Sequence, residues 1–166
     1  MLVYLTPNDF FVNDKNQLVT RLQGFSFLMF TSTQCPHCKF VEPAFTRLSS
    51  LIQGCTFALV DVDQDNRQII KKALHTSNKI EYVPYIVLCL NGVEKMQFKP
   101  IESQNDQPVD DVIAMNIKAM RTFLVEQTSH IRSEAPTKQT VSTHSIGMPV
   151  NSKKVCYMQY SSAYTK

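Results

Sequence analysis

The sequence predicts an α/β domain: a central mixed β-sheet flanked by helices on both faces, followed by an irregular C-terminal tail. Three observations carry this. Apolar runs of strand length at 25–30, 56–62 and 85–90 read as strands buried on both faces. Segments of helical period lie between them, as parallel crossovers require. Asn91-Gly92 follows the last run directly and is the strongest short hairpin signal, so one pair is antiparallel. With 43% hydrophobic residues among 166, a core can be built, which excludes wholesale disorder. Only 4 Gly and 8 Pro exclude collagen-like and low-complexity classes.

Residues 2–5 read as a short first strand. Thr6-Pro7-Asn8-Asp9 has the polar caps and early Pro of a helix start, and Phe10, Phe11, Leu18, Val19 and Leu22 then fit one face of a helix or broken helix ended by Gly24. Residues 25–30 form the first fully buried strand, and Cys35-Pro36-His37-Cys38 follows it. Phe40, Val41, Ala44, Phe45, Leu48, Leu51 and Ile52 repeat at helical spacing, with Pro43 inside as a kink. Residues 56–62 are the next strand, 63–65 an acidic helix start, and Ile69, Ile70, Ala73 and Leu74 the face of that helix. Val83-Pro84 interrupts the chain before the strand at 85–90, and 93–99 is the return strand. A polar loop at 99–109 leads to a last amphipathic helix marked by Val112, Ile113, Ile117, Met120, Phe123 and Leu124.

From Ser129 the periodicity fails. Eleven of the remaining 38 residues are Ser or Thr, so the chain divides into a domain at 1–128 and a tail at 129–166. The tail holds five Lys or Arg and one acid, which leaves the body at a net charge of −1. We read it as a solvated basic tail able to meet a protein assembly partner; nucleic acid is not expected. Within it, 155–160 has the composition of a strand that can add to a sheet edge. No apolar run approaches the roughly 18 residues that span a bilayer. Residues 1–11 lack a basic stretch followed by an apolar one, so no secretory signal is read and a reducing, cytoplasmic setting is expected.

Five cysteines, an odd number and mostly scattered, do not make a disulfide scaffold. Cys55 and Cys89 fall in or beside apolar strands and read as core; Cys156 lies in the tail. Zinc would need a second ligand pair at suitable spacing, and neither Cys55 with Cys89 nor His75 with Cys89 supplies one. The Asp61, Asp63, Asp65 alternation lacks the Gly and distal Glu of a calcium loop. No glycine-rich phosphate loop is present, so no cofactor is expected.

Cys35 and Cys38 bracket the start of a helix. Free backbone N–H groups and the helix dipole stabilise an anion there, so Cys35 can be a thiolate near neutral pH and attack a disulfide. Cys38, one turn on, is placed to resolve the mixed disulfide. His37 can add to the stabilisation of the Cys35 thiolate.

Across residues 2–127 the sequence resembles the thioredoxin superfamily. The matching pieces, in order, are Leu28-Met29-Phe30, Cys35-Pro36-His37-Cys38-Lys39, Pro43, Val60-Asp61-Val62-Asp63, Val83-Pro84-Tyr85 and Leu90-Asn91-Gly92-Val93. The resemblance implies a thioredoxin fold, a cis Val83-Pro84 bond facing the cysteines, and a substrate protein chain pairing with the backbone beside Pro84. It also implies thiol–disulfide exchange with a Cys-containing protein, with Cys35, Cys38 and His37 catalytic and Pro36, Val83 and Pro84 contacting substrate. The Pro-His dipeptide is similar to that of strongly oxidising members.

Departures from the pattern are concentrated at one place. Met29 and Leu59 stand where thioredoxins usually carry a buried Asp and a Lys that move the proton of the resolving thiol, and Gln34 and Thr31 replace aromatic residues. Those departures and the long tail support a different class of function, a thioredoxin-fold structural or binding module docked through its tail. The absence of a signal together with these departures is similar to thioredoxin-like proteins of large DNA viruses, which implies a place in the virion.

Overall fold

The structure is a computed structural model and describes residues 1–63, 66–102 and 107–134. Strand β1 (Leu2–Tyr4) is followed by a single 3-10 turn (Pro7–Asp9) and two short strands, β2 (Phe10–Val12) and β3 (Leu18–Thr20). Then come β4 (Phe25–Thr31), α1 (Cys38–Leu51), β5 (Thr56–Asp61), α2 (Arg67–Leu74), β6 (Tyr85–Leu90), β7 (Val93–Phe98) and α3 (Val109–Glu134). The main sheet has the order β1-β5-β4-β6-β7. β1 and β4 run parallel to β5, while β6 is antiparallel to β4 and β7, so the sheet is mixed as the sequence predicts.

β4 is the central strand, and its alternating side chains feed two cores. Phe27 and Met29 face α1 and α3, where they pack with Phe45, Leu48, Phe57 and Met120. Phe27, Phe45 and Phe57 form a ring cluster with centroids 5.2–5.8 Å apart. Leu28 and Phe30 face the other way, toward Ile69 and Ala73 of α2 and toward Phe10 and Leu18. The Asn91-Gly92 turn has positive φ at both residues, 51° and 78°, as a tight hairpin needs. A Cβ at Gly92 would also collide with the Thr20 carbonyl.

Two elements depart from the sequence expectation. Residues 10–22 are not a helix: β2 and β3 pair antiparallel, with Phe10 opposite Thr20. The apolar positions 10, 11, 18 and 19 fit both readings, and local turn chemistry decides. Asn13 Oδ1 accepts the N–H groups of Lys15 and Gln17 at 3.0 and 2.9 Å, and Asn16 adopts φ 56°, which closes a turn rather than continuing a helix. Asn78 then clamps Leu18: its Oδ1 accepts the Leu18 N–H at 2.8 Å and its Nδ2 donates to the Leu18 carbonyl at 3.0 Å. The helix start read at Thr6 survives as a short 3-10 turn, with Asp9 accepting the Thr6 N–H and hydroxyl.

The second departure is the end of α3, which runs past 128 to Glu134. Thr128 and Ser129 return their hydroxyls to carbonyls one turn back, Ile131 packs on the core, and the Arg132 guanidinium lies 5.5 Å from the Phe25 ring centre. These contacts keep a polar segment helical. The strand-like segment at 155–160 and Cys156 lie outside the described residues, as does Asp65.

Candidate functional site

β4 carries the chain to the C-terminal end of the sheet, where Ser32, Thr33 and Gln34 lead into Cys35. Asp63 braces this loop from beyond β5. Its carboxylate accepts the Ser32 hydroxyl at 2.6 Å and the Thr33 N–H and hydroxyl at 2.7 and 2.6 Å. Those hydrogen bonds, Ser32 first, hold the Asp63 carboxyl below the usual carboxylate range. The Cys35 N–H donates to the Ser32 carbonyl at 3.1 Å and closes the turn.

Cys35 and Cys38 form a disulfide, with Cα atoms 5.3 Å apart. Cys38 opens α1, and its N–H donates to Cys35 Sγ at 3.1 Å. A free helix N–H is thus aimed at the first sulfur. Cys35 is 8% exposed and Cys38 1%, so both are buried and Cys35 is the more accessible of the two. Pro36 and His37 are exposed, and the His37 carbonyl accepts the Phe40 and Val41 N–H groups at 3.2 and 3.3 Å.

The Val83-Pro84 peptide bond is cis, and the Val83 carbonyl oxygen lies 3.5 Å from Cys35 Sγ. A groove of about 260 Å³ starts at this point, lined by His37, Phe40, Tyr82, Val83, Pro84 and Ile101 among others. The structure therefore brings Cys35, His37, Cys38, Val83 and Pro84 to one end of the sheet. Pro36 sits on the exposed turn and does not line the groove.

Behind the cysteines the wall is apolar. Met29 and Leu59 are register partners on β4 and β5, 0% and 2% exposed, in the same cluster as both sulfurs. Thr31, two residues past Met29, donates its hydroxyl to Glu42 of α1 at 3.1 Å. Among the described residues, no group of three or more His, Cys, Asp or Glu is placed to hold a metal ion.

Three residues of the site were not singled out from the sequence. From the sequence Asp63 reads only as part of an acidic helix start. Glu42 carried only the signal of being one turn after Cys38. Asn116 of α3 is fully buried; its Oδ1 accepts the Ile101 N–H at 2.9 Å and its Nδ2 donates to the Ile101 and Val112 carbonyls at 3.1 and 3.0 Å. It thereby fixes the far wall of the groove, and a buried Asn in an amphipathic helix is the signal that marked it.

Of the other cysteines among the described residues, Cys55 and Cys89 are unbonded, Cys55 partly and Cys89 fully buried. Burial pushes the Cys55 thiol up to about 11 and the Cys89 thiol up to about 12.

The Thioredoxin family model matches residues 10–115, and the chain belongs to this family. It is 29% identical over 144 residues to Uncharacterized protein 020R of Invertebrate iridescent virus 3, covering 84% of this chain and 79% of that protein. It is 27% identical over 141 residues to Uncharacterized protein 196R of Invertebrate iridescent virus 6, covering 85% of this chain and 75% of that one. Among solved structures, thioredoxin f2 of Chlamydomonas reinhardtii aligns with a TM-score of 0.45 and 18% identity, over 69% of this chain and 93% of its own. Relatives in large DNA viruses agree with the resemblance read from the sequence. A thioredoxin-family fold with a bonded Cys35–Cys38 pair supports thiol–disulfide oxidoreductase chemistry in general.

Proposed function

We propose that the protein exchanges disulfides with a Cys-containing protein substrate through Cys35 and Cys38. The observation that carries this reading is the Cys38 N–H aimed at Cys35 Sγ at the start of α1, beside the Val83 carbonyl. In the reduced protein that N–H and the helix dipole stabilise a Cys35 thiolate, and the exposed His37 adds to it. The thiolate attacks one sulfur of a substrate disulfide, and the other substrate sulfur leaves as a thiol. Val83 and Pro84 align the substrate backbone along the groove, with Pro36 at its edge. Cys38 then attacks Cys35 Sγ, releases the second substrate sulfur and restores the Cys35–Cys38 bond. Run backwards, the same steps oxidise a dithiol substrate. Unbonded Cys55 and Cys89 support a reducing, cytoplasmic setting, and no described helix is long and apolar enough to cross a membrane.

A second reading is favoured by a specific observation. The matches to the iridescent virus proteins cover more of the chain than residues 1–128 supply. Part of the sequence beyond the proposed domain is therefore shared. In this reading the segment at 129–166 docks the domain into a larger assembly such as a virion. Capture separates the two readings. Cys38→Ser leaves the mixed disulfide unresolved, so a substrate stays attached to Cys35 and is released by reductant. A partner held equally by Cys35→Ser, Cys38→Ser and lost on truncation after Glu134 supports the docking role, whereas binding that depends on Cys35 supports the exchange role.

A further inference from the structure

We propose that Glu42 is the group that accepts the proton of Cys38 when the second thiol attacks. This rests on the exchange reading above and deepens it. Cys38 is 1% exposed, and the wall it meets is Met29 and Leu59, which carry no charge. A thiol buried against apolar groups holds its proton, and only the thiolate attacks. The proton needs an acceptor within the same pocket.

Three observations point to Glu42. It stands four residues after Cys38 on α1, which puts both side chains on one face with Cβ atoms about 5–6 Å apart. It is half-buried, and the Thr31 hydroxyl holds its Oε2 at 3.1 Å. Thr31 is itself 8% exposed and shares the sheet face of Met29, so this bond keeps the carboxylate at the end of β4 rather than in solvent. Finally, the neighbouring carboxylates are engaged. Asp61 Oδ1 accepts the Asp63 N–H at 2.8 Å, and both oxygens of Asp63 are taken by Ser32 and Thr33. Glu42 Oε1 has no other protein partner among the described residues.

In the step proposed, the mixed disulfide joins Cys35 Sγ to a substrate sulfur. The Cys38 S–H bond breaks, its proton passes to the Glu42 carboxylate, and the sulfur electron pair forms the bond to Cys35 Sγ. The substrate sulfur leaves with the electron pair of the broken bond and takes up a proton from solvent or from Glu42. The protein dithiol is oxidised by two electrons and the substrate disulfide is reduced by two.

An aromatic disulfide that releases a coloured thiol, dithiobis-nitrobenzoate, added at one equivalent to the fully reduced full-length chain carrying Cys156→Ser, reads the two halves separately. The first equivalent of colour reports attack by Cys35 and the second reports attack by Cys38. Glu42→Gln is expected to leave the first release unchanged and slow the second by about a hundredfold, in the range of general-base removal. Glu42→Asp should recover most of the loss, and Thr31→Val should slow the second release by a smaller factor. An unchanged second release in Glu42→Gln overturns the assignment. So does an equal slowing of both releases, which marks a general structural effect. Absence of the first release in the unmutated protein contradicts disulfide exchange itself, and this inference falls with it.

Discussion

Four cysteines lie among the described residues, and the fold gives them two environments. Cys35 and Cys38 sit where β4 ends and α1 begins, with a helix N–H pointing at one sulfur and a groove beside it. Cys55 precedes β5 at the opposite end of the sheet, and Cys89 lies within β6 with 3% of its surface exposed. Burial raises both of these thiols to about 11 and 12, so at neutral pH they are small hydrophobes. The same side chain is reactive or inert according to the backbone around it. A helix N–H aimed at the first sulfur distinguishes that pair; exposure does not, since Cys55 is partly exposed while Cys35 and Cys38 are buried. Cysteine count and sequence spacing alone do not.

The largest effect that can break this comparison is on turnover. In a Cys156→Ser background, Cys35→Ser should abolish rapid release of thiol from a disulfide probe, while Cys55→Ser, Cys89→Ala should leave it within about twofold, since neither sulfur lines the groove. Comparable losses in both would mean the buried thiols take part.

The apolar wall gives the next largest effect. Met29 is 0% exposed, and Met29→Asp puts a carboxylate where no partner faces it. The cost should be about 3–5 kcal/mol at pH 7, read from the denaturant midpoint. A change below about 1 kcal/mol would show that water reaches this wall and that Cys38 needs no protein proton acceptor.

This wall also shows what was legible beforehand. Met29 and Leu59 are legible as departures through the family resemblance, which sets them against an Asp and a Lys, and the structure pairs them directly. The cysteine pair, the Asn-Gly turn and the buried strands are legible from the residues themselves, since each is decided within a few positions. The hairpin at 10–20 was not, because its apolar spacing suits two periods and Asn78, some 60 residues away, helps decide between them. Asp63, Glu42 and Asn116 are fixed at the site by contacts to residues 11 to 31 positions away, which spacing along the chain does not reveal.

A smaller effect concerns α3. Truncation after Glu134 should leave the thermal midpoint nearly unchanged. Truncation after Thr128 removes Ile131 and the Arg132 contact with Phe25 and should cost about 1–2 kcal/mol. Equal stability of the two forms would contradict the packing of that last turn.

The smallest effect is a pH dependence at the loop before Cys35. Asp63 has its pKa lowered in the folded state, so its stabilisation is complete above the unfolded value of about 3.9 and fades as pH falls through the folded one. Asp63→Asn should therefore lower stability slightly at pH 7, and the difference from the unmutated protein should shrink in acid. A difference that grows toward low pH would have the wrong sign for this brace.

The most direct measurement is the rate of alkylation of each cysteine against pH in the reduced, folded protein, resolved by peptide mass. Cys35 should react with a midpoint below the ordinary thiol value of about 8.5, while Cys55 and Cys89 stay protected until pH approaches about 11 and 12. A Cys35 midpoint at or above about 8.5 would show that the start of α1 does not stabilise its thiolate, and the contrast between the two pairs of cysteines would fail.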